Sequence, residues 1–371
     1  MTTPLFLSVI MPVRNGATVL PKSLDALVAS DLPRSRWELI IIDDASTDDT
    51  AAIAARYADA VIRIPGRAHG PAYARNRGAE VAHGDVVVFF DADVVVHEDT
   101  LRRFAELLEA HPEVGGVFGS YDDRPPAPGL MSQYRNLLHH YTHQKNGGEA
   151  ASFWAGAGAI RRTIFMDAGM YDEWHFARPQ IEDIELGARI CQMGYRLVLR
   201  PEIQVTHLKH WTLANVIRTD LRDRGIPWAR LLAHRGGMLK VGTLNLKWTE
   251  KVNVILVWGA VLFCASWFLL RDARVFYAAL ACLTVVVAIN WNLWTFFGRV
   301  RGPVFALRTI PPHLLYYFMN GVSFGAGLLL QQAVGAPLPD PTVEAWHEVG
   351  VQRWPPIPSK DRRSSWTADN E

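Results

Sequence analysis

The stretch Asp85-Val86-Val87-Val88-Phe89-Phe90-Asp91-Ala92-Asp93 is an apolar run without polar alternation, closed by two carboxylates around one small residue. Such a run suits a strand buried on both faces, as in parallel sheets covered by helices. Acidic residues cannot continue a buried strand cheaply, so they mark its end. Residues 37–42 repeat the pattern and run into Asp43-Asp44-Ala45-Ser46, residues 7–11 stop at Pro12, and residues 60–64 form a further short strand. Between the first two runs, Leu20, Leu24, Leu27 and Val28 share one helical face. Ser46 or Thr47 can cap the next helix, with Asp48 and Asp49 in its first turn. This alternation predicts an α/β fold: a Rossmann-like, mostly parallel sheet covered on both faces. Ligands bind such sheets beyond the carboxyl ends of the strands, which is where Asp43, Asp44, Asp91 and Asp93 fall. For Asp43 and Asp44 alone, turn and cap chemistry explains as much. Two carboxylates flanking Ala92, however, can share a hard cation bound to a diphosphate, since Mg²⁺ takes a few carboxylates plus substrate oxygens.

Other classes fall away. The first strand leads into Pro12-Val13-Arg14-Asn15-Gly16, without the glycines of a dinucleotide-binding turn. Gly156-Ala157-Gly158-Ala159-Ile160-Arg161 comes near that motif but ends on Arg, and no strand–helix–strand fingerprint follows. A net charge of +1 gives no support to a nucleic-acid binder. Cys191, Cys264 and Cys282 have neither disulfide-framework nor zinc spacing.

The rest of the chain is a different material. Few charges fall between residues 252 and 334, and three windows there, 252–270, 275–297 and about 310–334, have the length and apolarity of membrane-spanning helices. A buried helical hairpin is the alternative. Trp248, Trp258, Trp267, Trp291 and Trp294 suit membrane-interface positions. Arg299, Arg301 and Arg308 in the second loop place it, and the N-terminal domain, in the cytoplasm; the first eight residues lack the basic region of a signal peptide. Three spans would put the Pro-rich tail outside, whereas Lys360, Arg362 and Arg363 argue for the inside, so its side stays open. Residues 211–240 interleave Arg218, Arg222, Arg224, Arg230 and Arg235 with apolar residues, as amphipathic helices on an anionic membrane surface do.

Several stretches together resemble glycosyltransferase family 2: Val9-Ile10-Met11-Pro12-Val13-Arg14-Asn15, Ile41-Ile42-Asp43-Asp44-Ala45-Ser46-Thr47-Asp48-Asp49-Thr50, Gly70-Pro71-Ala72-Tyr73-Ala74-Arg75-Asn76-Arg77-Gly78, Asp91-Ala92-Asp93 and Ile181-Glu182-Asp183-Ile184-Glu185-Leu186. The resemblance runs in family order over residues 5–207. It implies the GT-A fold, with a nucleotide-sugar-binding half over 1–120 and an acceptor half over 121–210. Interfacial helices over 211–248, two or three transmembrane helices over 249–336 and a polar tail over 337–371 complete the expected organisation. It also implies a nucleotide-diphosphate sugar donor, UDP or GDP, and inversion at the anomeric carbon. Pro12, Arg14, Asn15, Asp43 and Asp44 would line the nucleoside site, Arg75 would lie near the diphosphate, and Asp91 with Ala92 would face the ribose. Asp93, with Asp91 and His207, would hold Mg²⁺ or Mn²⁺. Arg14 stands where many members carry an aromatic residue, which leaves the nucleotide open.

A hydroxyl acceptor must lose a proton, which needs a carboxylate near the anomeric centre. Glu182-Asp183 precedes the amphipathic stretch Leu186, Ile190, Met193, so the pair sits at a helix N-terminus, with Asp183 the candidate base. Trp154, Arg224 and Trp228 are candidates for contacts to acceptor or diphosphate. The expected protein is a multi-pass, metal-dependent inverting transferase acting at the cytoplasmic membrane face. Its acceptor would be a hydroxyl of a lipid or lipid-linked molecule. The alternatives are a polyprenyl-phosphate glycosyltransferase, a processive polysaccharide synthase and an inactive sugar-binding subunit. Arg224-Gly225-Ile226-Pro227-Trp228 departs from the Gln-x-x-Arg-Trp motif of processive members.

Overall fold

The computed structural model describes residues 4–234, 247–339 and 352–354. These divide into two compact units: one holds the described residues up to Pro126, Asn146–Leu208 and the strand Gln352–Trp354, and the other holds Ala127–Lys145 and Lys209–Pro337.

The first unit is built on one mixed sheet. Strands β1 (Leu7–Val13), β2 (Trp37–Asp44), β3 (Ala60–Ile64) and β4 (Val86–Phe90) lie in the order β3-β2-β1-β4, all parallel. Every residue of β4 is buried, as its unbroken apolar run predicts. The helices α1 (Leu20–Val28), α2 (Thr50–Ala54) and α3 (Pro71–Glu80) connect these strands. Beyond β4 the pairing becomes mixed, and this the apolar runs did not announce. Strand β8 (Ala157–Arg161) joins β4 antiparallel, followed by β6 (Val114–Tyr121), β9 (Arg196–His207) and β5 (Val94–Val96). The short β7 (Gly148–Ala150) pairs with β9, and β10 (Gln352–Trp354) adds antiparallel to the outer edge of β3. The helix α4 (Thr100–Ala110), with Leu101, Phe104 and Leu108 inward, belongs to the main core with β1, β2 and β4; α6 (Arg162–Asp167) and α7 (Glu182–Gln192) follow β8.

The second unit is helical. Helix α5 (Leu130–Lys145) belongs here, although its sequence position falls in the expected acceptor half. The reason is packing: Tyr134 and Leu137 are buried against Leu293, Trp294 and Phe297. Helix α8 (Leu213–Arg218), a π-helical turn (Thr219–Gly225) and α9 (Ile226–His234) follow. Arg218, Arg222 and Arg224 are exposed, while Asp220 is buried in an ion pair with Arg135. Arg235 and the rest of that basic stretch lie outside the described residues, as do Lys360, Arg362 and Arg363.

Of the two or three expected spans, the described helices supply one, or two if a bent pair is counted as one broken span. Helix α10 (Trp248–Leu270) is the one described helix long and apolar enough by itself to cross a membrane. The second window divides into α11 (Ala273–Ile289) and α12 (Trp291–Arg301), bent by 63°. Asn290 causes the break: its side chain donates to the Val286 carbonyl, and its own carbonyl starts the next helix by accepting from Leu293. The third window lies in α13 (Pro303–Val334), which contains Pro311, Pro312, His313, Asn320 and two glutamines and does not qualify as a span.

Candidate active site

The carboxyl end of β2 separates two adjacent carboxylates by function. Asp44 is committed to the fold: its two oxygens accept from the His69 and Gly70 N–H groups, both at 2.8 Å. Gly70 stands at φ +93° immediately before α3, and a Cβ there would lie 2.6 Å from the Ala177 carbonyl. Burial raises the Asp44 pKa, against those hydrogen bonds. Asp43 is fully buried, and its Oδ1 accepts from the Ser46 N–H at 2.9 Å. Its Oδ2 has no hydrogen-bond partner among the described residues; Arg63 Nε lies 3.5 Å away. An acceptor left over in this way suits an N–H donor from a ligand. Asn15 is used locally, its Oδ1 accepting from the Thr47 N–H at 2.9 Å. Pro12 is half-buried within β1, and Arg14 is exposed.

At the end of β4, Asp91 and Asp93 part company. The Asp91 Oδ1 accepts from Arg75 at 2.7 Å. Asp93 instead meets His207, Oδ2 to Nε2 at 3.5 Å. Strand pairing produces that meeting, since Val94 is opposite His207 and the Leu208 N–H donates to the Asp93 carbonyl. The Ala92 carbonyl accepts from Ser23 Oγ, which fixes the turn. Tyr121 stacks on the His207 ring at 4.2 Å and 7°, and Trp154 packs edge-on to Tyr121 at 4.8 Å. The next residue, Asp122, accepts from Thr206, His97 and the Arg124 N–H. Burial pushes the Asp122 pKa up, and these hydrogen bonds more than reverse it, so the carboxyl sits below its usual range. The end of β6 thereby locks the end of β9.

Among the described residues no three His, Cys, Asp or Glu groups converge as a metal site. A carboxylate and an imidazole do converge, in Asp93 and His207. That two-ligand set fits Mn²⁺ or Mg²⁺ if diphosphate oxygens and water complete the coordination.

Arg75 joins this region to α7. Buried on α3, its guanidinium bonds Asp91 and also Glu182 Oε1 at 3.3 Å, and it lies 5.5 Å from the Tyr171 ring. Burial opposes its charge, but Asp91, Tyr171, Glu182 and Asp183 outweigh that and keep it protonated. Glu182 is taken twice, since Oε2 accepts from the Gln180 N–H at 2.8 Å. Asp183, in the first turn of α7, is half-buried; Oδ1 accepts from the Ile184 N–H and Oδ2 lies 3.4 Å from the Ala155 N–H. Glu185 forms a two-point ion pair with Arg189, a bond within the helix.

The structure thus places Asp43, Arg75, Asp91, Asp93, His207, Glu182, Asp183 and Trp154 in the sheet unit. Arg224 and Trp228 belong to the helical unit. Two residues escaped the sequence reading. Asn76 is buried and makes three bonds to the segment before α7: two with the Tyr171 backbone and one to Glu173. Its position beside Arg75 in the quoted motif was the available signal. Tyr171 had no such signal: its hydroxyl is buried without a hydrogen-bond partner among the described residues.

Residues 8–169 match the model of glycosyl transferase family 2. That match covers less than half of the chain. Among curated relatives, the poly(ribitol-phosphate) beta-N-acetylglucosaminyltransferase TarS of Staphylococcus aureus is 31% identical over 108 residues, 28% of this chain and 19% of the relative. The dolichyl N-acetyl-alpha-D-glucosaminyl phosphate 3-beta-D-2,3-diacetamido-2,3-dideoxy-beta-D-glucuronosyltransferase of Methanococcus voltae is 23% identical over 339 residues, 86% of this chain and 95% of the relative. The match spans less than a fifth of TarS and 48% of the Bacillus subtilis relative YdaM, a probable glycosyltransferase. Among solved structures, the mannosyltransferase PcManGT from Pyrobaculum calidifontis, in complex with GDP-Man and Mn²⁺, superposes with a TM-score of 0.54 at 21% identity. The match covers 87% of this chain and 88% of that one. The shared fold is GT-A.

Proposed function

We propose that this protein is a membrane-anchored, metal-dependent, inverting glycosyltransferase. It would move a sugar from a nucleotide-diphosphate donor to a hydroxyl of a lipid or lipid-linked acceptor at the cytoplasmic membrane face. The observation that carries this reading is Asp183, a half-buried carboxylate at a helix N-terminus, in the same electrostatic neighbourhood as the Arg75 guanidinium that holds Asp91. The Methanococcus voltae relative is named for a dolichyl-linked acceptor, and PcManGT was solved with GDP-Man and Mn²⁺, which supports acceptor class, donor class and metal.

In this reading Asp43 Oδ2, which has an ion-pair contact with Arg63 but no hydrogen bond, accepts an N–H of the nucleobase. Asp93 and His207 would hold a divalent cation, which supplies Lewis-acid neutralisation of the charge growing on the leaving diphosphate. Arg75 keeps Asp91 and the start of α7 in fixed relation. Asp183 takes the proton of the acceptor hydroxyl as its oxygen attacks the anomeric carbon opposite the diphosphate, which inverts that centre. Residues 1–120 would serve the donor and 121–210 the acceptor, less the helix α5.

Asp183→Asn tests the proposal, because it keeps size and the bond from the Ile184 N–H, giving up only the long contact with Ala155, but cannot accept a proton. Transfer to a hydroxyl acceptor is expected to fall ~10²–10⁴-fold in kcat with donor affinity retained. For a phosphate acceptor, already an anion, the loss should be far smaller. Near-wild-type transfer would favour the polyprenyl-phosphate reading, and a parallel loss of donor affinity would make Asp183 a binding residue.

A further inference from the structure

We infer that the α10–α11 hairpin crosses the bilayer twice and is the membrane-crossing element of the described chain, and that the C-terminal tail lies on the catalytic side. This rests on the membrane-anchored part of the reading above and goes beyond it, because it fixes the parity of the crossings and the side of the tail.

Strand pairing carries the parity. The helical unit, described over 209–234 and 247–337, falls between β9 and β10 in the chain, and both strands belong to the same sheet. In β10, Gln352, Arg353 and Trp354 pair antiparallel with Arg63, Ile62 and Val61 of β3. A chain that leaves a sheet, enters a membrane and returns to the same sheet must cross an even number of times. The arrangement with three spans and an external tail is therefore excluded while β10 is paired.

The hairpin itself supplies the two crossings. Trp267 meets Phe276 at 5.6 Å near the link, and Gly259 faces the Cys282 sulfur deeper in. These contacts nest around residues 271–272, so the two helices run antiparallel. Their 23 and 17 residues give about 35 and 26 Å of helix: α10 exceeds a hydrocarbon core of about 30 Å, and α11 stands at the short end of the roughly 17–25 residues that spanning helices use. Outward-facing Ile255, Leu262, Phe268, Leu269 and Leu280 are more than half exposed. A surface of that extent needs a cover, and the charges at its two ends identify lipid.

The tip holds Arg271, Asp272 and Arg274, with Asp272 capping α11 by accepting from the Arg274 N–H. The Arg271 guanidinium lies within 6 Å of both the Trp267 and Phe268 rings, an arrangement suited to a headgroup layer. Three charges cannot stop in hydrocarbon, so a hairpin that enters must pass through to the far headgroups. At the open end, Asn253 donates to the Tyr317 hydroxyl at 3.0 Å, which donates to Asn290 at 3.1 Å. That polar stitch marks where the crossings begin and end, and the 63° bend at Asn290 then turns α12 aside.

The test uses the full-length protein with its three cysteines replaced and single cysteines returned as Lys22→Cys in the catalytic unit, Ala273→Cys at the hairpin tip, or Ser359→Cys in the tail. Each is probed in sealed vesicles with a membrane-impermeant maleimide. Lys22→Cys and Ser359→Cys should label from the same side, and Ala273→Cys from the other. Labelling of Ser359→Cys opposite to Lys22→Cys would overturn the even parity. Labelling of Ala273→Cys together with Lys22→Cys would overturn the crossing. Carbonate washing distinguishes the deeper failure: release of the wild-type chain would overturn membrane anchoring itself, whereas retention with the wrong labelling pattern overturns this inference alone.

Discussion

At the scale of single residues, two adjacent aspartates have different jobs. Asp44 satisfies two backbone N–H groups at the entrance to α3, so Asp44→Ala would strand one buried and one partly buried donor. Each stranded donor costs about 1–3 kcal/mol, and a lower Tm in thermal denaturation is the expected sign. Asp43 keeps one oxygen free of hydrogen bonds beside Arg63, and Asp43→Asn preserves the bond from Ser46 while turning an amide toward that side. Donor affinity should fall roughly 10–100-fold with little change in Tm, because a hydrogen bond to a charged group contributes about 1.5–3 kcal/mol. Titration calorimetry with UDP- and GDP-sugars checks this, and the reverse pattern would exchange the two roles. The carboxylates themselves were legible because acids interrupting an apolar strand are conspicuous. Their division of labour was not, since it depends on where residues 69 and 70 return in space. Tyr171 was invisible for the same reason: an aromatic residue in a loop announces nothing until its ring is found beside Arg75.

At the scale of elements, α7 carries Asp183 and is seated by a glycine. A Cβ on Gly187 would stand 2.2 Å from the Phe153 nitrogen. In an ordinary helix Gly→Ala gains up to about 1 kcal/mol; here the contact is with backbone and cannot yield cheaply. Gly187→Ala is therefore expected to destabilise the protein by about 1–3 kcal/mol and to slow transfer more than it weakens donor binding. A raised Tm would show that α7 can slide. The first four strands and their order of appearance could be read from hydrophobic runs alone. The antiparallel half could not, because β5, β7 and β8 are short and their partners lie far along the chain. The second apolar window shows the matching limit: within it, the Asn290 side chain closes one helix and its carbonyl opens another.

At the scale of the whole molecule, composition separated a sheet-forming unit from an apolar helical one. It could not show that α5 belongs with the helices, whose Trp294 and Phe297 cover it, nor that a tail strand rejoins the sheet. The central claim is that a cation held by Asp93 and His207 binds the donor diphosphate during sugar transfer. Calorimetry of UDP- and GDP-sugars with and without Mn²⁺, on wild type and Asp93→Ala, tests it most directly. Wild-type affinity for one donor should rise sharply with Mn²⁺, and Asp93→Ala should abolish both that increment and transfer while retaining the metal-independent part. An undiminished Mn²⁺ increment in Asp93→Ala would contradict the account and leave Asp93 as the cap of a strand.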